Sequence, residues 1–93
     1  MDEKIIKKAN CGQNEKADCQ ITISPANSII IEIQSKVKSL FGKSIERSVK
    51  EILEDNKIQN AKVIVNDFGA LDWVIRARLE CAIQRAKGRK NEK

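Results

Sequence analysis

The sequence predicts a single α+β domain with elements in the order β-β-α-β-α, a small antiparallel or mixed sheet carrying two helices on one face. Three observations lead there. Short stretches alternate or cluster apolar residues in the manner of strands, and two longer stretches repeat apolar residues at spacings of three and four. The chain has 93 residues, enough for one core and no second domain.

The elements follow in order. Residues 1–18 mix Lys, Asn, Gly, Gln and Glu without a sustained period and read as a flexible arm. Cys19 to Ser24 (CQITIS) alternates, Ser28 to Gln34 (SIIIEIQ) is rich in isoleucine, and Pro25, Ala26 and Asn27 lie between them as turn material. That arrangement predicts a β-hairpin. Ser35 is placed to cap a long helix with Val37, Leu40, Phe41, Ser44, Ile45, Ser48, Val49, Ile52 and Leu53 on its inner face. A short strand is expected at Ala61 to Val65, then a turn at Asn66 to Gly69 in which Asp67 can cap a second helix. That helix runs from Ala70 to about Ala86, burying Leu71, Val74, Ile75, Leu79, Ala82, Ile83 and Ala86, and Gly88 ends it. The compact domain is expected over 19–87, with a basic tail at 88–93.

Composition narrows the function classes. The chain is 41% apolar and 33% charged, which is globular rather than disordered. Its formal charge is +5, but residues 85–93 hold net +4, so the rest is close to balance. A basic segment of this kind is ordinarily solvated, and only Phe41, Phe68 and Trp73 are aromatic, leaving no stacking platform for single-stranded nucleic acid. There is no histidine and no C-x-x-C pair, so no metal site is expected. Cys11, Cys19 and Cys81 read as free thiols of a reducing compartment. No stretch is long enough to span a membrane, and a cytoplasmic location is expected.

The run NDFGALDWVIRAR, Asn66 to Arg78, admits three readings: a phosphate cradle, a nucleic-acid-reading helix, or packing. One glycine is too few for a phosphate loop. Counted along the helix, Arg78 falls on the inward side, where it would pair with a carboxylate or a partner subunit, while Arg76 falls toward solvent.

The run VNDFGALDWVIRARLECAI, Val65 to Ile83, resembles the C-terminal signature of the citrate lyase acyl carrier protein family, the gamma subunit of that complex. There a D-x-G-A-L-D turn leads into a helix bearing R-A-R. SKVKSLFGKSI, Ser35 to Ile45, and ITISP, Ile21 to Pro25, are similar to the family's helix and first strand. The resemblance implies a non-catalytic carrier whose phosphoribosyl dephospho-coenzyme A arm, joined to a serine by a phosphodiester, holds an acetyl group as a thioester. It implies citrate lyase alpha and beta subunits as partners, the first exchanging acetate for citrate and the second cleaving the citryl thioester. Membrane, nucleic acid and metal are not expected partners.

In the family the serine lies in a segment A-G-T-L-E-S-x-D, onto which CGQNEKAD, Cys11 to Asp18, falls. Gly12, Glu15 and Asp18 agree, and would be the segment that the prosthetic-group transferase recognises. The serine position is Lys16. An amine does not form the normal phosphodiester, and the arm is not expected on this chain. Asp67, Gly69, Asp72, Arg76 and Arg78 are candidates for subunit docking. Alternative readings are a structural subunit that carries nothing, a carrier using another residue such as Cys11 or Cys19, and a small basic module binding nucleic acid or an acidic partner. Citrate and citramalate as substrates of the complex are not separable in this subunit.

Overall fold

The computed structural model describes residues 4–35 and 38–87, with the backbone alone for 38–41. Along them run β1 (Ala9–Gly12), β2 (Cys19–Ser24), β3 (Ile29–Ser35), α1 (Lys38–Asp55), β4 (Ala61–Asp67) and α2 (Asp72–Ala86). The strands form one four-stranded sheet in the order β1-β2-β4-β3. The α+β class and the two expected helices stand.

The sheet is mixed. β4 pairs antiparallel with β2, setting Ile21 opposite Val65 and Ile23 opposite Val63. On its other side it pairs parallel with β3, setting Ile31 opposite Val63 and Ile33 opposite Val65. Alternation then sorts the two faces: Cys19, Ile21, Ile23, Ala61, Val63 and Val65 are buried, and their sequence neighbours are not. α2 lies over β1 and β2, α1 over β3, and the helices touch each other. Val49 of α1 and Leu79 and Ile83 of α2 are fully buried. Each such side chain contributes roughly 1.5–3 kcal/mol by leaving water. On the open face Lys62 pairs with Glu32 at 3.7 Å, an exposed contact of little energetic weight.

Four local expectations are corrected. β2 and β3 are not a hairpin, because β4 lies between them. β3 reaches β4 through α1, a strand-helix-strand crossover that makes the pair parallel, and the residues between Ser24 and Ile29 only need to step across one strand. Within the segment expected to be an irregular arm, Ala9–Gly12 is an edge strand paired with β2 from Ala9 opposite Ile23 to Gly12 opposite Gln20. Four residues with one buried side chain, Cys11, are too few to show a period. Ser35 is the last residue of β3 rather than a helix cap, and α1 begins at Lys38. Leu71 precedes α2 and is 63% exposed instead of lying on its buried stripe. Gly88 and the basic tail, and the side chains of Val37, Leu40 and Phe41, lie outside the described residues.

Candidate functional site

The segment Gly12 to Asp18 is the connection between β1 and β2, and its course is dictated at Gly12. The glycine has φ +105°, and a Cβ built there would stand 1.9 Å from the carbonyl oxygen of Cys19. Only glycine fits that approach. Beyond it the Gln13 N–H donates to the same Cys19 oxygen at 3.1 Å, and the Asp18 N–H donates to the Glu15 carbonyl at 3.0 Å. The second bond closes a β-turn with Lys16 and Ala17 at its centre, Ala17 taking φ +66°. Lys16 therefore stands at the corner of a tight turn, its side chain exposed.

The loop is fastened to the turn that enters α2. The Ala17 N–H donates to the Phe68 carbonyl at 2.7 Å, and the Phe68 N–H donates to the Asp18 carbonyl at 2.9 Å. Gly69 (φ +95°) passes beside Ala17, so the two segments that carry the family motifs are in contact. Arg78 adds a side-chain clamp: its Nε and Nη2 donate to the two carboxylate oxygens of Asp18 at 3.1 and 2.8 Å. A carboxylate partner for Arg78 is what its helix position predicts, but its side chain is no more enclosed than that of Arg76, 36% against 35% exposed.

That fork sets a pH dependence. The Arg78 hydrogen bond, followed by the Cys19 N–H donating at 2.7 Å, holds the Asp18 carboxyl below its usual range. A depressed folded-state value contributes stability that is complete above the unfolded value of about 3.9 and is lost as pH falls through the folded value. Asp18→Asn should therefore give a shallower loss of urea midpoint between neutral and strongly acidic pH than the parent. Parallel acid limbs would mean that the pair makes no net contribution.

The turn itself is built on Asp67. Its buried carboxylate accepts from the Gly69 and Ala70 N–H groups at 3.2 and 2.9 Å and from the Ser35 hydroxyl at 2.8 Å. It thus organises the turn before α2, and the expectation of a helix cap is corrected: the cap position is Leu71, with no side-chain bond. Asp67→Ala should cost about 2 kcal/mol, read from urea midpoints, because one change orphans several donors. Asp67→Asn, which keeps one acceptor, should cost less than half as much.

Asp72 and Arg76 face the other way, toward α1. The Ser48 hydroxyl donates to Asp72 Oδ1, and Arg76 Nε donates to Asp72 Oδ2 at 2.8 Å. Arg76 Nη2 also reaches Glu51 Oε1 at 2.6 Å and Ser48 Oγ at 3.3 Å. The Ser48 bond first, and Arg76 second, lower the Asp72 carboxyl. Arg76 was expected toward solvent; instead it ties the helices together, because α1 offers polar partners along that edge. Helical counting locates a residue on its own helix and says nothing about the neighbour's surface, so Ser48 and Glu51 gave no signal as partners.

The docking candidates thus divide, Arg78 with the loop and Asp72 and Arg76 with α1, while Asp67 serves the turn between. Phe68, Leu71 and Trp73, at 39%, 63% and 68% exposure, put large apolar side chains on the surface at the β4–α2 turn and the first turn of α2, and of these Phe68 is bonded to the loop through its backbone. As a direct acyl acceptor Cys19 is poorly suited: it is fully buried and burial, then the Asp18 and Asp67 charges, push its thiol up to about 12. Among the described residues no cluster of Cys, Asp or Glu is arranged to hold a metal ion, and no helix is long and apolar enough to cross a membrane.

The model of the acyl carrier family described as malonate decarboxylase delta subunit matches residues 6–86. The citrate lyase acyl carrier protein of Treponema denticola is 38% identical over 83 residues, 89% of this chain and 95% of that protein. That of Haemophilus influenzae is 46% identical over 83 residues, covering 89% and 87%. Among solved structures, a chain of a Pseudomonas malonate decarboxylase hetero-tetramer in complex with malonate superposes with a TM-score of 0.75 over 86% of this chain and 84% of that one. At 20% identity that likeness speaks for the fold alone.

Proposed function

The chain belongs to the family of malonate decarboxylase delta subunits and citrate lyase acyl carrier proteins, and on that premise we propose that it fills the acyl carrier position of a citrate-lyase-type complex. The relatives at 38% and 46% identity favour the citrate branch of the family. The subunit does not catalyse; it displays a loop to subunits that do. The observation that carries this reading is the clamp that joins the Gly12 to Asp18 loop to the β4–α2 turn and leaves Lys16 at the exposed corner.

A carrier of this family implies a prosthetic group, which the resemblance identifies as a phosphoribosyl dephospho-coenzyme A arm on serine. The residues present do not fit that linkage. Gln13, Asn14, Glu15, Lys16, Ala17 and Asp18 include no hydroxyl, and Thr22 is held inside β2. We infer that the chain takes the carrier's place without a serine-linked arm in this loop.

Citrate lyase alpha and beta subunits are the proposed partners, in the cytoplasm. Phe68, Leu71 and Trp73 give the surface such a subunit would cover when it reaches for the loop. Trp73 is the single tryptophan, so seating a partner there should shift its emission to the blue. Asp72 and Arg76, spent on α1, would act by holding this surface in shape.

The deciding experiment is isolation of the protein from its own cells, with intact mass and the co-purifying chains read together. A bare-chain mass with lyase subunits attached is the expected result. Bare mass without those subunits overturns the complex. An added mass equal to the arm would keep the complex and overturn the unloaded reading, and fragmentation would then find the attachment residue.

A further inference from the structure

Cys11 and Cys81 meet across the interface that holds the edge strand to α2. Cys11 is the buried residue of β1, on the strand that α2 covers, and Cys81 is half-buried and packs against the same core, where the neighbouring Cys11 thiol pushes its own thiol up. The bonds on either side frame this contact independently. Arg85 Nη1 donates to the Asn10 carbonyl at 2.8 Å, and Arg78 grips Asp18. Arg78, Cys81 and Arg85 are spaced three and four residues apart and so share one face of the helix. Cys11, next to Asn10, is brought opposite Cys81 between these two fastenings.

We propose that Cys11 and Cys81 are a disulfide-forming pair that closes under mild oxidation and bolts β1, with the carrier loop that follows it, to α2. With hydrogen peroxide as oxidant, the Cys81 sulfur attacks one peroxide oxygen, the O–O bond breaks, and a sulfenic acid and water result. The Cys11 sulfur then attacks the sulfenic sulfur, the S–O bond breaks, and a second water leaves with the two thiol protons accounted for. Two thiols are oxidised and one peroxide is reduced. Cys81 is the entry point because it is the thiol that solvent reaches.

Cys19 is the competitor for Cys11. It lies on the neighbouring strand on the same buried face, but it is fully enclosed, whereas Cys81 is only half-buried. Oxidant therefore meets the helix thiol first. Across the interface from it stands Cys11, on the strand that α2 covers.

The test uses the full chain with peroxide, followed by alkylation in denaturant and peptide mapping without reductant. The expected product is a monomer lighter by two hydrogens, with Cys11 joined to Cys81 and Cys19 alkylated. Titratable thiols should fall from the three of the reduced chain to one, and the melting temperature should rise. Cys81→Ser should not lose the two hydrogens, and Cys19→Ala should behave like the parent. A Cys11 to Cys19 linkage, a Cys81-linked dimer, or sulfinic acid on Cys81 without cross-linking would each overturn the assignment.

Discussion

Lys16→Ser is expected to turn a chain that stays at its bare mass into one that gains the phosphoribosyl dephospho-coenzyme A arm when it is co-expressed with a citrate lyase prosthetic-group transferase. The acyl carrier of Haemophilus influenzae serves as the positive control. The argument is geometric as well as chemical. The backbone around residue 16 is held by bonds that do not use its side chain: Asp18 N–H to Glu15, Ala17 N–H to Phe68, and Arg78 to the Asp18 carboxylate. A serine there inherits the same exposed corner and supplies the hydroxyl that the loop lacks. Two results would sink the idea. Loading of the parent would mean that another residue accepts the arm, and an unloaded variant beside a loaded control would mean that Gly12, Glu15 and Asp18 do not suffice for the transferase.

Gly12→Ala is expected to destabilise the domain by ~3 kcal/mol or more, lowering the melting temperature by more than ~10 °C. Two penalties combine. The backbone sits at φ +105°, which side chains rarely adopt, and the added carbon would meet the Cys19 carbonyl at 1.9 Å, so strand β1 or β2 has to move. Gly69→Ala separates them. That glycine has φ +95°, but its Cβ would find only ordinary contact with Ala17 at 3.9 Å, so strain alone should cost roughly 1–2 kcal/mol. Thermal melts of the two variants side by side decide the matter; equal losses would mean that the close approach at Gly12 is relieved without cost.

Much of the fold was legible because its signal is local. The alternation CQITIS marked β2 to the residue, and the three-and-four spacing from Ile45 to Leu53 and from Ile75 to Ala86 marked the inner faces of the helices. Non-local facts were misread. Pro25 announces a turn but not which strand lies next, and β4 takes the place that a hairpin would have given β3. β1 was invisible because its regularity is supplied by its pairing with β2.

The same division runs through the site. The motif residues were recognisable as a linear pattern, and the chemical consequence of Lys16 followed from the type of atom at its tip, since an amine is not a hydroxyl in any fold. Their contacts were not recognisable, because Asp18 and Arg78 are sixty residues apart in the chain. Arg76 shows the limit most clearly: its own helix points it outward, and Ser48 and Glu51 of α1 turn that outward edge into an interface. By itself, then, the sequence determined the class of fold, the inner face of β2 and of the helices from Ile45 to Leu53 and from Ile75 to Ala86, the carrier family and the missing hydroxyl, all properties of residues within a few positions of one another. Only the tertiary structure decided strand order, the clamp between the loop and the α2 turn, the role of each arginine and the meeting of Cys11 with Cys81. Those depend on which surfaces become neighbours when the apolar faces are buried together, and no local pattern carries that information.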